Sequence, residues 1–410
     1  MPFKLYDGPT DRHHCVEILE GSSAISMEKL GSNATGVRRY NERLILATIR
    51  RRGETSKTDL SRLTGLSPQA TVRIVDSLAA DGMLIKSGKR LGGMGQPSIL
   101  YRIDGSNGYT IGAEIGRDRL HCIMLDFDGA IIAKESWDID FPDPLGASQT
   151  IRAFTEQNTH RLSASQRENF LGFGIAMPWF IGEWREEAGI KAEQAEAWSA
   201  ADVEGVFRDQ LSGQVYFEND GNAGALAELM CGAGLSLNNF LYVHIGNFVG
   251  GGLILGGEIV RGKNGNAGAL ASMSVPVGGG VDYLLHTASL YPVNAKRNGQ
   301  PVPQDIWDAA CVNSLAFTII NVNSLLDLEA VILGGVLPVS HLEQLRHQIT
   351  ERIKENAPRD FFHPQLLEGE NGASAPARGA GLIPLYATYS PNLTALFNSG
   401  SSTASPASGQ

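Results

Sequence analysis

Four polar side chains crowd one short stretch, Glu218, Asn219, Asp220 and Asn222, directly after the apolar triplet Val215-Tyr216-Phe217. Carboxylates and amides at the mouth of a strand can exchange hydrogen bonds with ligand hydroxyls, and a carboxylate so placed can also serve as a general base. Downstream, Gly246, Gly250, Gly251 and Gly252 separate two apolar runs. A turn stripped of side chains lets backbone N–H groups approach a phosphate or a sugar. No GKS or GKT follows, so the turn is not a Walker loop. Two convergent strand ends of this kind mark a ligand site rather than two unrelated bulges.

These groups need a frame. The pattern predicts a strand over residues 215–217 that opens a helix, two strands on either side of the glycine turn, an amphipathic helix over 305–326, and a buried strand over 330–333 that ends at Gly334-Gly335. Residues 218–228, the turn at 246–252, and Arg261-Gly262-Lys263-Asn264-Gly265-Asn266-Ala267-Gly268 resemble successive signatures of the ROK family, which holds sugar kinases and sugar-responsive repressors. Leu333-Gly334-Gly335 and Leu382-Ile383-Pro384-Leu385-Tyr386 resemble its later motifs, so the likeness spans about residues 40–392. The resemblance implies two actin-like, ribonuclease H-like α/β lobes, 108–225 and 226–392, with the last helix packing back on the first lobe and ligand in the cleft between them. It places Pro178, Asn219, Asp220, Asn264 and Gly265 at the ligand, and it puts Asp220 at the position of the kinases' general base.

The same comparison reveals departures from the kinase pattern. The first phosphate turn of family kinases resembles an acidic residue followed by Gly-Gly-Thr, whereas here the text is Glu114-Ile115-Gly116-Arg117-Asp118-Arg119. In the second, Asn247 follows Gly246 where kinases carry threonine. Gly116, Gly246 and Gly250 are therefore expected to be vestiges of phosphate turns. Ala269 and Ser272 stand where the family has a sugar-binding glutamate and a metal-binding histidine, Leu285 replaces a closing glutamate, and residues 274–283 hold none of the cysteines of a zinc loop. Zinc needs about four N, S or O ligands at close range. No metal, no cofactor and no catalysis are expected. Trp179, where the family has glycine, would put a ring beside the ligand.

The amino-terminal part has a different character. Between Arg38 and Arg102 the chain carries 13 Lys and Arg against 5 Asp and Glu, a local charge of +8 in a protein whose net charge is −10. A basic segment on an acidic protein is the electrostatic footprint of a nucleic-acid-binding module. Within it, a helix from Asn41 ends in Arg50-Arg51-Arg52-Gly53, a short helix covers 57–63, and Ser67-Pro68 starts a third, an N-cap serine followed by proline at the first helical position. Val72, Val75, Leu78 and Ala79 are read as inward, leaving Ser67, Gln69, Ala70, Arg73 and Ser77 outward. Strands over 83–86 and 98–103 flank a loop with Lys89 and Arg90. Residues 38–104 thus read as a winged helix-turn-helix, with Gln69 and Arg73 near base edges and Lys89 and Arg90 near phosphate.

Length and composition bound the rest. The 410 residues, 42% of them apolar, suffice for two or three domains. The four cysteines, Cys15, Cys122, Cys231 and Cys311, form no CxxC pair. Neither a leader pattern nor an apolar run near the ~20 residues of a membrane span is read, so a cytoplasmic protein with no membrane partner is expected. Residues 1–37 are expected to be a weakly ordered arm and 396–410 a disordered tail. The reading is an α/β protein with a winged helix-turn-helix head: a transcriptional regulator, of the repressor type, that binds double-stranded DNA at a palindromic operator as a homodimer or dimer of dimers. Its kinase-derived body would sense a sugar or sugar derivative. Two alternatives stay open, an active sugar kinase with a DNA-binding head and a ligand-independent dimeric regulator.

Overall fold

The architecture comes from a computed structural model that describes residues 34–90, 97–139, 141–178, 191–200, 202–294 and 301–391. In the head, helix α1 (Ala34–Arg52) begins ahead of the expected Asn41, within the stretch read as an arm, and ends on three arginines that suit the negative pole of the helix. After β1 (Thr55–Ser56), the Ser56 side chain caps α2 (Lys57–Thr64) by accepting from the Asp59 backbone N–H, and Gly65 ends that helix at φ +71°. Ser67 accepts from the Ala70 N–H and Pro68 opens α3 (Pro68–Ala80). Strands β2 (Leu84–Arg90) and β3 (Ser98–Ile103) complete a small sheet of order β1-β3-β2. Ile45, Ile49, Leu60, Val75, Tyr101 and Ile103 form its core.

Two readings of the head change. The inward face of α3 is Thr71, Ile74, Val75 and Leu78, while Val72 is 43% exposed. Thr71 can be buried because its hydroxyl donates to the Ser67 carbonyl one turn back, at 3.1 Å. The helix is thereby rotated relative to a phase chosen on apolar residues alone. Strand β2 also continues past Lys86, with Lys89 paired to Ile99 and Arg90 to Ser98. Lys89 and Arg90 therefore stand on a strand, and the loop beyond them, 91–96, lies outside the described residues.

The body repeats one pattern twice. In the first lobe, β4 (Tyr109–Ile115), β5 (Arg119–Asp126) and β6 (Ile131–Asp138) form an antiparallel meander. Helices α4 (Pro144–Asn158) and α5 (Ala164–Glu168) then lead to β7 (Phe170–Met177), and α6 (Ala192–Ala200) and α7 (Val203–Gln210) lead to β8 (Val215–Asn219). The sheet order is β6-β5-β4-β7-β8. In the second lobe, helix α8 (Asp220–Cys231) precedes β9 (Phe240–Ile245), β10 (Val249–Leu255) and β11 (Glu258–Ile259). A hairpin of β12 (Ser274–Val277) and β13 (Gly280–Tyr283) follows, then α9 (Leu284–Ala288), α10 (Gln304–Leu326), β14 (Ala330–Gly335), α11 (Val339–Asn356), β15 (Gln365–Glu368) and α12 (Ala375–Tyr389). Its sheet, β11-β10-β9-β14-β15, matches the first strand for strand, three antiparallel and then two parallel. This is the duplicated actin-like arrangement. The four residues of β15 are too few for a periodic signal, and pairing with β14 decides them.

Helix α12 closes the body by lying on both α8 and the first sheet. A Cβ on Gly379 would stand 1.6 Å from the Ala223 carbonyl oxygen, so only glycine lets the two helices cross this closely. Helix α8 runs through residue 225, where the first lobe was expected to end, and packs on β9 and β10. The chain passes from the first sheet to α8 at Asn219–Asp220.

Candidate functional sites in the cleft and the head

The first site forms where β8 becomes α8. Asn219 caps α8, its side chain accepting from the Gly221 N–H at 3.0 Å, and the Asp220 carboxylate accepts from the same N–H at 2.8 Å. Burial pushes the Asp220 carboxyl above its usual range, and the Gly221 bond pulls it back. Met177 pairs with Asn219 across β7 and β8, which brings Pro178 alongside. Trp179 lies outside the described residues. Glu218 does different work: it is only 2% exposed and accepts from Arg261 Nε at 2.8 Å and from Asn222 Nδ2 at 3.0 Å. A buried carboxylate paired in this way holds the 261–268 loop to β8 and is not available to a ligand.

Glu114, read above only as the acid of the first turn, shares the cleft with two histidines that the sequence reading did not single out. The end of β4 carries Glu114, which stands beside β7 in register with Ala176, itself in register with Glu218 on β8. Burial first, and then the Asp220 charge, raise the Glu114 carboxyl to about 8, so it is largely neutral at pH 7. His121 Nδ1 lies 3.9 Å from Glu114 Oε2 and has no hydrogen-bond partner among the described residues. On β9, His244 Nδ1 bonds the Tyr242 hydroxyl at 2.9 Å. Desolvation holds both histidines neutral, down to about 4, with Arg119 acting in the same direction. The visible signal was a histidine inside each of two apolar strands, one of them two residues before Gly246. An unsatisfied amide nitrogen on Asn247 and an unsatisfied amide oxygen on Asn222, both buried, add a donor and an acceptor.

The glycine turn reads differently in three dimensions. A Cβ on Gly221 would lie 2.1 Å from the Gly251 carbonyl oxygen, and one on Gly252 would lie 2.6 Å from the Gly221 carbonyl oxygen. Gly251 and Gly252 thus serve the close packing of α8 on β10. Gly250 faces the cleft, its would-be Cβ 3.9 Å from Asp220 Oδ1, and Gly246 sits beside His244 Nε2. At the first turn the Gly116 N–H donates to the Arg119 carbonyl at 2.9 Å, which uses up a donor that a phosphate would need. The 261–268 loop is pinned by Arg261 and by Gly268 against β10, with Gly265 partly buried and Asn264 exposed. Where the zinc loop would stand, Asp282 at the end of the hairpin pairs with His286 of α9, and Leu285 of α9 is buried.

The second site is the outer face of α3. Ser67, Gln69, Val72 and Arg73 are exposed there and Ala70 is half-buried. The surrounding acids are already matched: Asp76 by Lys57 at 2.5 Å, and Asp59 by Arg90 and by Arg62. Arg90 therefore faces Asp59 instead of standing free, and this pairing lowers the Asp59 carboxyl below its usual range. Arg73 and Lys89 make no hydrogen bond or ion pair with any described residue. Their charges are left to project from the helix and the wing strand.

Comparison with known proteins agrees with this geometry. Residues 110–277 match the ROK family, and residues 38–85 match the winged helix-turn-helix DNA-binding type. The chain thus carries a ROK family domain behind a winged helix-turn-helix head. It is 24% identical over 378 residues to the xylose repressor of Bacillus spizizenii, covering 86% of this chain and 96% of that one. Among solved structures it resembles a ROK family transcriptional regulator, a homologue of the E. coli MLC protein, with a TM-score of 0.61 at 18% identity over 89% of this chain and all of the other. It also resembles the ROK hexokinase of Thermus thermophilus, with a TM-score of 0.52 at 20% identity over 67% of this chain and 97% of that one.

Head and ROK body are joined by arginines that the sequence reading counted toward DNA. Arg50 donates to the Asp128 and Phe127 carbonyl oxygens at 2.6 and 3.1 Å and pairs with the Asp128 carboxylate at 3.4 Å. Arg51 reaches Asn238 at 3.0 Å and Arg43 the Ser390 carbonyl at 3.3 Å. Arg378 of α12 grips the same turn from the body side, donating to the Gly129 carbonyl at 3.0 Å. A cavity of about 300 Å³ lies at this junction, lined by Tyr40, Leu44, Phe127, Met230, Tyr386 and Tyr389. It lies at the opposite end of α8 from Asp220.

Proposed function

We propose that this ROK protein is a DNA-binding transcriptional repressor whose body senses a sugar or sugar-like ligand without phosphorylating it. The observation that carries the reading is a cleft that keeps Asp220 among amides and neutral imidazoles, while at the first phosphate-type turn the Gly116 N–H is already bonded to the Arg119 carbonyl. Such a cleft suits hydroxyl recognition better than phosphoryl transfer. The α3 face, with Gln69 and Arg73 toward base edges, Val72 able to meet a thymine methyl, and Lys89 near phosphate, supports major-groove reading. Two such heads on a homodimer would read a palindromic operator with half-sites about one helical turn, or a multiple, apart. Named relatives are xylose repressors, so xylose is the first ligand to try, followed by other pentoses, hexoses and polyols.

The test is a thermal-shift panel of these sugars alongside operator binding by fluorescence anisotropy. A ligand that raises the melting temperature and changes operator affinity supports the reading; a protein that binds no DNA above non-specific levels at any salt concentration overturns it. A second reading, an active kinase, rests on Asp220 at the start of α8, which makes no ion pair with any described residue. ATP turnover with any sugar that binds would decide for it.

A further inference from the structure

The junction of head and body encloses space that neither the cleft nor the α3 face uses. The cavity of about 300 Å³ there falls at the lower end of the range that holds small organic ligands. Its walls come from both parts: α1 supplies Tyr40, Leu44 and Leu46, and the body supplies Phe127, Leu229 and Leu385. Leu46, Phe127, Leu229 and Leu385 are each at most 5% exposed. A sugar would set hydroxyls against these walls with nothing to bond them. A flat aromatic ring suits them, and one T-shaped pair is already in place, Phe127 on Tyr389 with centroids 5.1 Å apart.

The polar groups around the cavity favour an anion. Three phenols line it, Tyr40, Tyr386 and Tyr389. The Tyr40 and Tyr389 hydroxyls bond no described residue. The Tyr386 hydroxyl accepts the Ile259 N–H at 3.4 Å, which leaves its own proton for another acceptor, and the residue is only 8% exposed. At the α12 rim stands Arg43. It is half-buried, its hydrogen bond runs to the Ser390 carbonyl of the cavity wall, and no acid among the described residues pairs with it. Burial pulls its guanidinium below the usual value, and the charge of Arg39 adds to the effect. Arg50 differs, since Asp128 meets its charge. A half-buried cation without a counter-charge gains from an anion brought to it. The acid that lines the cavity, Glu258, is exposed.

We propose that this cavity is a second ligand site, which takes a flat aromatic carboxylate with its ring between α1 and α12 and its carboxylate at Arg43. The donor set fits, because a carboxylate accepts from a guanidinium and from phenols and donates nothing. Such a ligand touches head and body at once and holds the head in its seat. The site is at the opposite end of α8 from Asp220, so it does not depend on whether the cleft takes a sugar.

The probe is naphthoate, with naphthamide as its uncharged twin, each titrated calorimetrically into the full-length protein. Naphthoate should bind, and naphthamide at least tenfold more weakly. Arg43→Gln should bring naphthoate down to the level of the amide. Leu44→Trp, which fills the cavity, should abolish binding of both; if that variant does not fold, Arg43→Gln decides alone. Hydrogen exchange should slow in α1 and α12 when naphthoate is added, and not at residues 215–222. An absence of naphthoate binding at millimolar concentration, equal binding of acid and amide, or indifference to Arg43→Gln overturns the proposal. Protection confined to 215–222 overturns it too, since the molecule would then occupy the cleft. Failure of every sugar to bind would count against the sensing role of the cleft and leave this site standing.

Discussion

Asp220 and Glu114 share one cleft, and burial raises the carboxyl of each. Asp220 accepts the Gly221 N–H and keeps acceptor capacity for a ligand hydroxyl. Asp220→Asn should weaken binding of any effective sugar by about 1 to 3 kcal/mol while ligand-free operator binding stays nearly intact, because the α3 face is distant from it. Isothermal titration on both variants checks this, and unchanged sugar affinity would remove Asp220 from the site. Glu114 bears on stability. Its folded value is about 8 against an ordinary 4.5, so above pH 4.5 the unfolded chain releases a proton that the fold retains, and stability falls as pH rises toward 8. His121 and His244, lowered to about 4, act oppositely: they cost stability as pH drops below 6.5. The two effects overlap below pH 6.5, so the clean window is 6.5 to 8. There wild type should lose on the order of 1–2 kcal/mol, and Glu114→Gln should lose much less. Parallel denaturation slopes for the two proteins in that window would count against a neutral Glu114.

Elements divide sharply between those the chain announces and those it conceals. The caps Ser56 and Ser67-Pro68, the long α10, and the strand ending at Gly334-Gly335 are legible because each is a local pattern of residue types at fixed spacing. The phase of α3 was not legible from apolarity, since a threonine that bonds its own backbone can replace a valine inside. Nor was the junction, because Arg50 finds its partners at Phe127 and Asp128, far along the chain, and nothing near Arg50 in sequence signals them. In the cleft, Asp220 was readable from its polar neighbours; Glu114 and His244 were not, because their roles depend on which face of a sheet they occupy. Two predictions belong to these elements. On α3, Arg73→Ala should cost about 1 to 3 kcal/mol and relax sequence preference, whereas Lys89→Ala should mainly lower the slope of binding against salt by about one unit. Anisotropy across a salt series with matched and scrambled operators separates the two, and equal behaviour of both variants would deny α3 its reading role. At the junction, Arg50→Ala removes bonds from a side chain that is 12% exposed. It should leave sugar binding and operator binding each within about threefold, about 0.7 kcal/mol, yet reduce the effect of one on the other. Undiminished coupling would show that the head communicates with the body elsewhere.

The whole molecule is a pair of similar lobes with one head, and its response to ligand depends on how the ligand divides its contacts. The 261–268 loop follows β11 in the second lobe, whereas Pro178 follows β7 in the first, so a hydroxylated ligand held between them bridges the lobes. A ligand shifts a conformational equilibrium only by its differential affinity for the two states, so bridging matters more than tightness. On the proposed homodimer, two heads reading fixed half-sites would tolerate little change in spacing. Ligand should therefore lower operator affinity by at least tenfold and non-specific DNA affinity by less than threefold, measured on operator and scrambled duplexes at one salt concentration; equal losses on both would argue for a general electrostatic effect.

Helix α8 gives this response a mechanical form. It begins at Asp220 in the cleft and ends at Cys231, whose sulfur would lie 2.9 Å from a Cβ on Gly129, in the turn that Arg50 grips. Twelve residues of helix make a strut about 18 Å long. A strut does not dissipate displacement along its length as a chain of loops does: what is imposed at one end arrives at the other. The wall of the candidate ligand cleft and the seat of the winged helix head are then two ends of one helix.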